Sequence, residues 1–441
     1  MKKRILLTAV FVATALLFNG CALRTVEEMY SLPRRSEEYS KLQSVIDVAM
    51  AGLSYCAPVS GENQQTVQLC DLDGDDVDEY LVFAKGTSET PMQILIFQQE
   101  SDGSASILDV ITSTGSSFEQ VEYVEINGKP GFELVVGRRV SDRLQRSVSV
   151  YTFSDGKAEL LMTTGYTRFL TCDLDEDSLS ELMVIQLGDM ILQNSSAVLY
   201  SCRDGVMERS VETQLSDHAS AIRRIRTGKL HGGVSAVYVA SSVDEKTLVT
   251  DVFALRNGQF TNISMSDESK TSVRTLRNFY VYAEDVDEDG ILELPSLINM
   301  QSVSAAGSTE QHYLIRWFSL DVNGGQVDKQ FTYHNYVGGW YLLLDRSWAY
   351  RVGIEQLGNT YTFYVWNEAY RDATPLFTIY VLTGSDRQSQ SVDGSRFALF
   401  STESVVYAAR LEESAANYGI TEESMINSFR LIHEDWKTGE S

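Results

Sequence analysis

The stretch "CDLDGDDVDEYLVF", Cys70–Phe83, packs six carboxylates into nine residues and then runs into an apolar strand. Like charges a few ångströms apart repel, so this crowding in a chain of net charge −25 calls for a compensating partner. The pattern returns as "CDLDEDSLSELMVI" from Cys172 and "EDVDEDGILELPSL" from Glu284. All three copies carry Asp at positions 1, 3 and 5, an apolar residue at 2 and Glu at 9. The residues are Asp71, Asp73, Asp75 and Glu79; Asp173, Asp175, Asp177 and Glu181; Asp285, Asp287, Asp289 and Glu293. The runs "EYLVF" and "ELMVI" that follow are strand sequences, as their β-branched and aromatic content implies.

A second period sets the architecture. Strand, Gly-containing turn and strand recur around Gly103, Gly156, Gly205, Gly258 and Gly324, at spacings of 53, 49, 53 and 66. The acidic motifs keep that beat at double step: Asp71 to Asp173 is 102 residues and Asp173 to Asp285 is 112. The skipped beats fall on "VEINGKPGFELVVG" from Val124 and, more faintly, on "GKLHGGVSAVYVA" from Gly228. In the first, Glu125, Asn127, Lys129 and Glu133 take positions 1, 3, 5 and 9, and the Lys129 ammonium is expected to stand where a cation would. In the second, Gly228, Leu230, Gly232 and Ala236 leave no site. Metal is therefore expected in alternate units.

A unit of about 50 residues holding four short strands has the content of a propeller blade. The expected fold is mainly β: a propeller-like array of about six such blades over residues 63–373. Stacking buries both faces of each sheet and leaves only short edges. A row of small sandwiches is the alternative, but the unit is short for one. Ahead of the array, "SEEYSKLQSVIDVAMAGL" offers Ser36 as N-cap and Leu42, Ile46, Ala49 and Leu53 on one face, an amphipathic helix. After it, residues 374–441 read as a small α/β cap. "LFTIYVL" and "RFALFST" would be strands, "TESVVYAARLEESAANYG" a helix ending at Gly419, and a last helix capped by Thr421 would bury Met425, Phe429, Ile432 and Trp436.

Acids at every second position of a tight loop turn several carboxylates toward one point. Ca²⁺ suits such a set, being a hard ion with six to eight oxygen ligands at about 2.3–2.6 Å, whereas Mg²⁺ keeps more of its water. The pattern Asp-x-Asp-x-Asp-x-x-x-Glu before an apolar strand resembles the calcium loops of FG-GAP/VCBS-type repeats in integrin-like β-propellers, across roughly residues 63–300. That resemblance implies Ca²⁺ at the twelve acids named above. The chain departs from the family in its Glu at position 9 and in having Gly at position 6 only at Gly290.

Lys2, Lys3 and Arg4 precede an apolar segment, Ile5–Phe18, too short for a membrane span, and "LLFNGC" follows. This resembles the lipobox of bacterial lipoproteins. It implies a signal peptide over 1–20, lipid on Cys21, and a linker with the helix over 21–62. The location implied is the outer face of the bacterial cytoplasmic membrane. Losing the three basic residues takes the charge from −25 to −28, which argues against nucleic acid as a partner. Of the remaining cysteines, Cys70 and Cys172 hold equivalent places before the acidic loops and read as small buried residues; a Cys56–Cys70 bridge is the alternative.

None of the five histidines has zinc-site spacing, and no nucleophile elbow or phosphate loop occurs. Trp340, Trp348 and Trp366 lie in aromatic stretches that suit either core strands or sugar stacking. The expectation is a membrane-anchored binding or scaffolding lipoprotein with structural Ca²⁺ loops and a protein or glycan partner. The alternative is an envelope polysaccharide hydrolase or lyase on the same scaffold. A funnel of aromatics and non-loop acids would favour the enzyme, and a flat polar face the binder.

Overall fold

The computed structural model describes residues 37–432, apart from 101–103, 141–144, 189–193, 303–311 and 370. The signal segment, Cys21, Ser36, Gly103, His433 and Trp436 lie outside the described residues. Within them the chain forms six mainly antiparallel sheets, broadly in sequence order; Gln301–Ser302 joins the sixth sheet as a short parallel edge strand. The second sheet shows the plan: Ser117–Val124, Glu133–Arg139, Arg146–Ser154 and Lys157–Gly165 pair as a meander. The first sheet (from Val67–Cys70 to Ala105–Ser113), the third (Arg168–Cys172 to Val206–Arg209) and the fourth (Ala221–Lys229 to Gln259–Asn262) repeat it, with short added strands in the first and third. The fifth holds Leu294–Asn299, Tyr313–Leu320, Gln326–Asn335 and Trp340–Leu344, and the sixth is centred on Thr360–Trp366 and Ala373–Thr383.

The first four sheets are buried on both faces, which is why the second strand of each is largely apolar and buried throughout. Successive side chains point to opposite faces. Leu134 and Val136 therefore pack with Leu81, Phe83 and Ile94 of the first sheet, while Val135 packs with Phe169, Leu182 and Val184 of the third. The same sharing joins the third to the fourth, the fourth to the fifth and the fifth to the sixth. The array is propeller-like in blade content and stacking. Among the described residues no hydrophobic cluster joins the first sheet to the sixth. The outer face of the first is covered by the helix Glu37–Ala49, whose Leu42 and Ile46 meet Val82, Ala84, Leu95 and Phe97. Against the sixth lies the helical turn Arg387–Gln390.

The C-terminal segment differs from its expected form. Ala373–Thr383 and Phe397–Ser401 are strands, but they belong to the sixth sheet, so no boundary falls at 373/374. Val405–Leu411, expected as helix, is the strand between them. "VVYAA" is apolar and β-branched, and two neighbours satisfy its backbone, which outweighs a weak helical pattern. Only Glu413–Tyr418 is helical before Gly419, whose φ of 69° supplies a left-handed cap. The last helix, Glu422–Ser428, has its expected Thr421 cap, but stops before Phe429. Phe429–Leu431 instead adds a strand to the fifth sheet, where Phe429 stacks on Trp340 at 5.6 Å.

Candidate metal centres

The acidic loops join the first and second strands of the first sheet (71–79) and the third sheet (173–181), and lead into the fifth (285–293). They are built alike. The position-1 Asp accepts two backbone amides: Gly74 and Asp76 on Asp71 at 2.7 and 3.0 Å, Glu176 and Ser178 on Asp173 at 2.7 and 3.0 Å, Asp289 and Gly290 on Asp285 at 3.0 and 2.8 Å. Positions 4 and 6 are left-handed in each loop: Gly74 and Asp76, Glu176 and Ser178, Glu288 and Gly290. Asp, Glu and Ser thus adopt a conformation glycine reaches more readily, so the missing Gly at position 6 does not change the loop.

Position 9 has a structural task that residue type alone did not reveal. Glu79 Oε2 accepts Leu72 N–H at 2.9 Å, Glu181 Oε2 accepts Leu174 N–H at 2.8 Å, and Glu293 Oε2 accepts Val286 N–H at 3.0 Å. The carboxylate latches the loop shut from inside. Glu79 and Glu293 are fully buried, and their other oxygens, Oε1, have no hydrogen-bond partner. A buried acceptor in that state is costly, and a cation within reach could satisfy it. Burial pushes the Glu79, Glu181 and Glu293 carboxyls up to about 7, against the opposing pull of the latch hydrogen bond. Burial also raises Asp73 and Asp175, with the neighbouring acids Asp75 and Asp177 adding to it.

Ligand atoms of Asp71, Asp73 and Glu79 lie within 4.8 Å of one another, as do those of Asp173, Asp175 and Glu181, and those of Asp285, Asp287 and Asp289. Asp75, Asp177 and Glu293 stand outside these groups. Asp75 and Asp177 instead accept the Val77 and Leu179 amides at 2.9 and 2.8 Å. These clusters could hold metal ions, and the all-carboxylate donor set fits a hard cation. The third differs in one respect. Lys329 Nζ bonds Asp289 and lies 3.5 Å from Asp287 Oδ2. The ammonium holds Asp289 below the usual carboxylate range, and Asp289 raises Lys329 in return.

The skipped copy corrects one expectation. Lys129 is exposed, and it is Asn127 that stands in for the cation: its Nδ2 donates to Glu133 Oε1, joined by the Thr152 hydroxyl at 3.0 Å. Glu133 keeps the latch, accepting Ile126 N–H at 2.9 Å. An amide and a hydroxyl thus satisfy the oxygen left bare in Glu79 and Glu293. Asn127 was legible in the motif, but Thr152 comes from another strand and was not.

The loops also chain together. Phe132 N–H donates to Asp71 O at 3.1 Å, Ser180 N–H to Glu125 O at 2.7 Å, and Leu292 N–H to Lys229 O at 3.1 Å. Position 8 of these three copies thus holds the preceding loop or turn, and the Glu176 side chain, accepting Lys229 Nζ and Ser235 N–H, links the second acidic loop to the next turn, so that one end of the array becomes a row. Cys70 and Cys172 sit opposite Glu79 and Glu181 in register. Both are unbridged, as are Cys56 and Cys202, and burial lifts the Cys70 and Cys172 thiols to about 12. Trp340 and Trp348 are buried core residues between the fifth and sixth sheets.

No family model and no curated protein matches the chain. Among solved structures it is similar to a provisionally named 6-phosphogluconolactonase from Bacteroides uniformis, at 13% identity over 69% of this chain and 82% of that one, with a TM-score of 0.26. It is similar also to the exotype rhamnogalacturonan lyase YesX, at 11% identity over 74% and 72% with a TM-score of 0.29. The rhamnogalacturonan lyase YesW gives 12% over 72% and 71%, again at 0.29. Likeness at this level carries no argument about activity.

Proposed function

We propose that this chain is a lipid-anchored, extracytoplasmic binding or scaffolding module whose acidic loops take up structural Ca²⁺. One observation carries the metal reading: the fully buried glutamate latch of the first loop, Glu79, keeps an oxygen without a partner within a carboxylate cluster. Asp71, Asp73 and Glu79 would hold the ion in the first loop, and Asp173, Asp175 and Glu181 in the second. A bound ion supplies positive charge that lets these carboxylates remain ionised at close range. Because the loops are chained, stiffening one steadies its neighbours, which suits a rigid display surface. The acidic charge points to basic or cationic partners, and the lipobox resemblance of "LLFNGC" supports the anchor at Cys21.

A ligand that binds only the folded state stabilises it by about 2.7 kcal/mol per site at a hundredfold excess over Kd. Millimolar Ca²⁺ should therefore raise the melting temperature, EDTA should lower it, and Mg²⁺ should do less. Asp73→Ala should remove one ion from the stoichiometry. Melting that ignores both Ca²⁺ and chelator, with no heat of binding at millimolar Ca²⁺, would sink the reading.

A further inference from the structure

We propose that Lys329 is the built-in counter-ion of the third acidic loop, so that of the three clusters only the first two are open to Ca²⁺. The inference rests on the Ca²⁺ reading above and divides loops that the motif makes look equivalent.

The backbone explains how a lysine gets there. In the fifth sheet Trp317 pairs with Gln330 and Phe318 with Asp328, so Lys329 is the extra residue of a β-bulge. A bulge re-aims the side chain it carries, and Lys329 turns its ammonium onto Asp287 and Asp289. The Lys329 side chain is 16% exposed, while Asp287 and Asp289 face solvent on their outer side. The same bulge recurs at the same place in earlier sheets. In the first, Ile96 pairs with Asp109 and Phe97 with Ile107, leaving Leu108 as the extra residue. In the second, Val150 pairs with Met162 and Tyr151 with Leu160, leaving Leu161. The repeat thus places an uncharged leucine where the first acidic loop is open and a lysine where the third is filled. At the second loop, Lys229 bonds Glu176, at position 4, at 2.7 Å, outside the Asp173, Asp175 and Glu181 cluster. An ion entering the third loop must first displace Lys329 and then face its charge nearby.

Titration calorimetry on the full chain tests this. Wild type should take up two Ca²⁺ ions. Lys329→Leu, which installs the residue of the first sheet, should take up three, its third site at least about tenfold tighter than any uptake by the wild-type loop, a gap of about 1.4 kcal/mol. In EDTA the variant should melt below wild type, because Asp287 and Asp289 have lost their partner, and Asp287→Asn added to it should recover part of the loss. Equal stoichiometry in both proteins, whether two or three, overturns the role of Lys329 and leaves the Ca²⁺ reading standing. An unchanged melting temperature in EDTA overturns it as well. If neither protein binds Ca²⁺, the metal reading fails and takes this inference with it. Should Lys329→Leu not fold, Lys329→Gln carries the same expectations.

Discussion

Glu79, Glu181 and Glu293 decide how the loops respond to pH. Burial lifts each carboxyl from 4.5 to about 7. A folded value above the unfolded one means the contribution to stability is fully present below the unfolded value and is lost as pH rises through the folded one. In chelator, therefore, these groups should weaken the protein between about pH 5 and pH 8. Glu79→Gln, which keeps an acceptor for Leu72 N–H, should lessen that slope, and saturating Ca²⁺ should remove the share of Glu79 and Glu181 by favouring the ionised carboxylates. Thermal melts of wild type and variant across that range check this, and identical slopes would refute it. Gly131 is a second decisive residue. Its φ is 91°, and an added Cβ would lie 2.3 Å from Leu72 O. Backbone strain and overlap each cost about 1–3 kcal/mol. Gly131→Ala should accordingly destabilise more than Gly258→Ala, where φ is 74° but nothing lies within 4 Å. Denaturant midpoints of the two variants compare them directly.

Among the elements, the helix Glu37–Ala49 shows local pattern and tertiary demand in agreement. Leu42 and Ile46 are one turn apart and both are buried against the first sheet. Leu42→Ala should cost about 2–5 kcal/mol in chemical unfolding, whereas Val48→Ala, at a position 77% exposed, should cost almost nothing. A small loss for Leu42→Ala would mean the helix does not dock. The strand Val405–Leu411 shows the opposite case. Its register with both Ala373–Thr383 and Phe397–Ser401 is a long-range fact, and "VVYAARLEESAANY" carries enough helix formers to mislead a local reading. Phe429 likewise fits a helical stripe with Met425 but is drawn into the fifth sheet by an open strand edge at Trp340–Leu344.

For the whole molecule, the row of six sheets places its acidic loops at one end and ties them to their neighbours through backbone hydrogen bonds and the Glu176 side chain. If lipid on Cys21 holds this body at a membrane, Cys21→Ser should move the protein to the soluble fraction, since each buried CH₂ of an acyl chain contributes about 0.8 kcal/mol. Retention of the variant in membranes at the wild-type level would remove the anchor from the proposal. The sequence by itself determined the repeat, the strand content and the three acidic loops. A loop's ligands lie within nine contiguous residues, and a strand buried on both faces must be apolar throughout, so both leave a local trace. Only the tertiary structure decided what surrounds those loops. The latch of Glu79 onto Leu72, the substitution of Asn127 and Thr152 for a cation and the reach of Lys329 into the third loop depend on groups brought together by sheet register. Register is set by pairing across the fold, and a one-residue bulge, invisible in composition or period, is enough to turn a side chain onto an acidic loop.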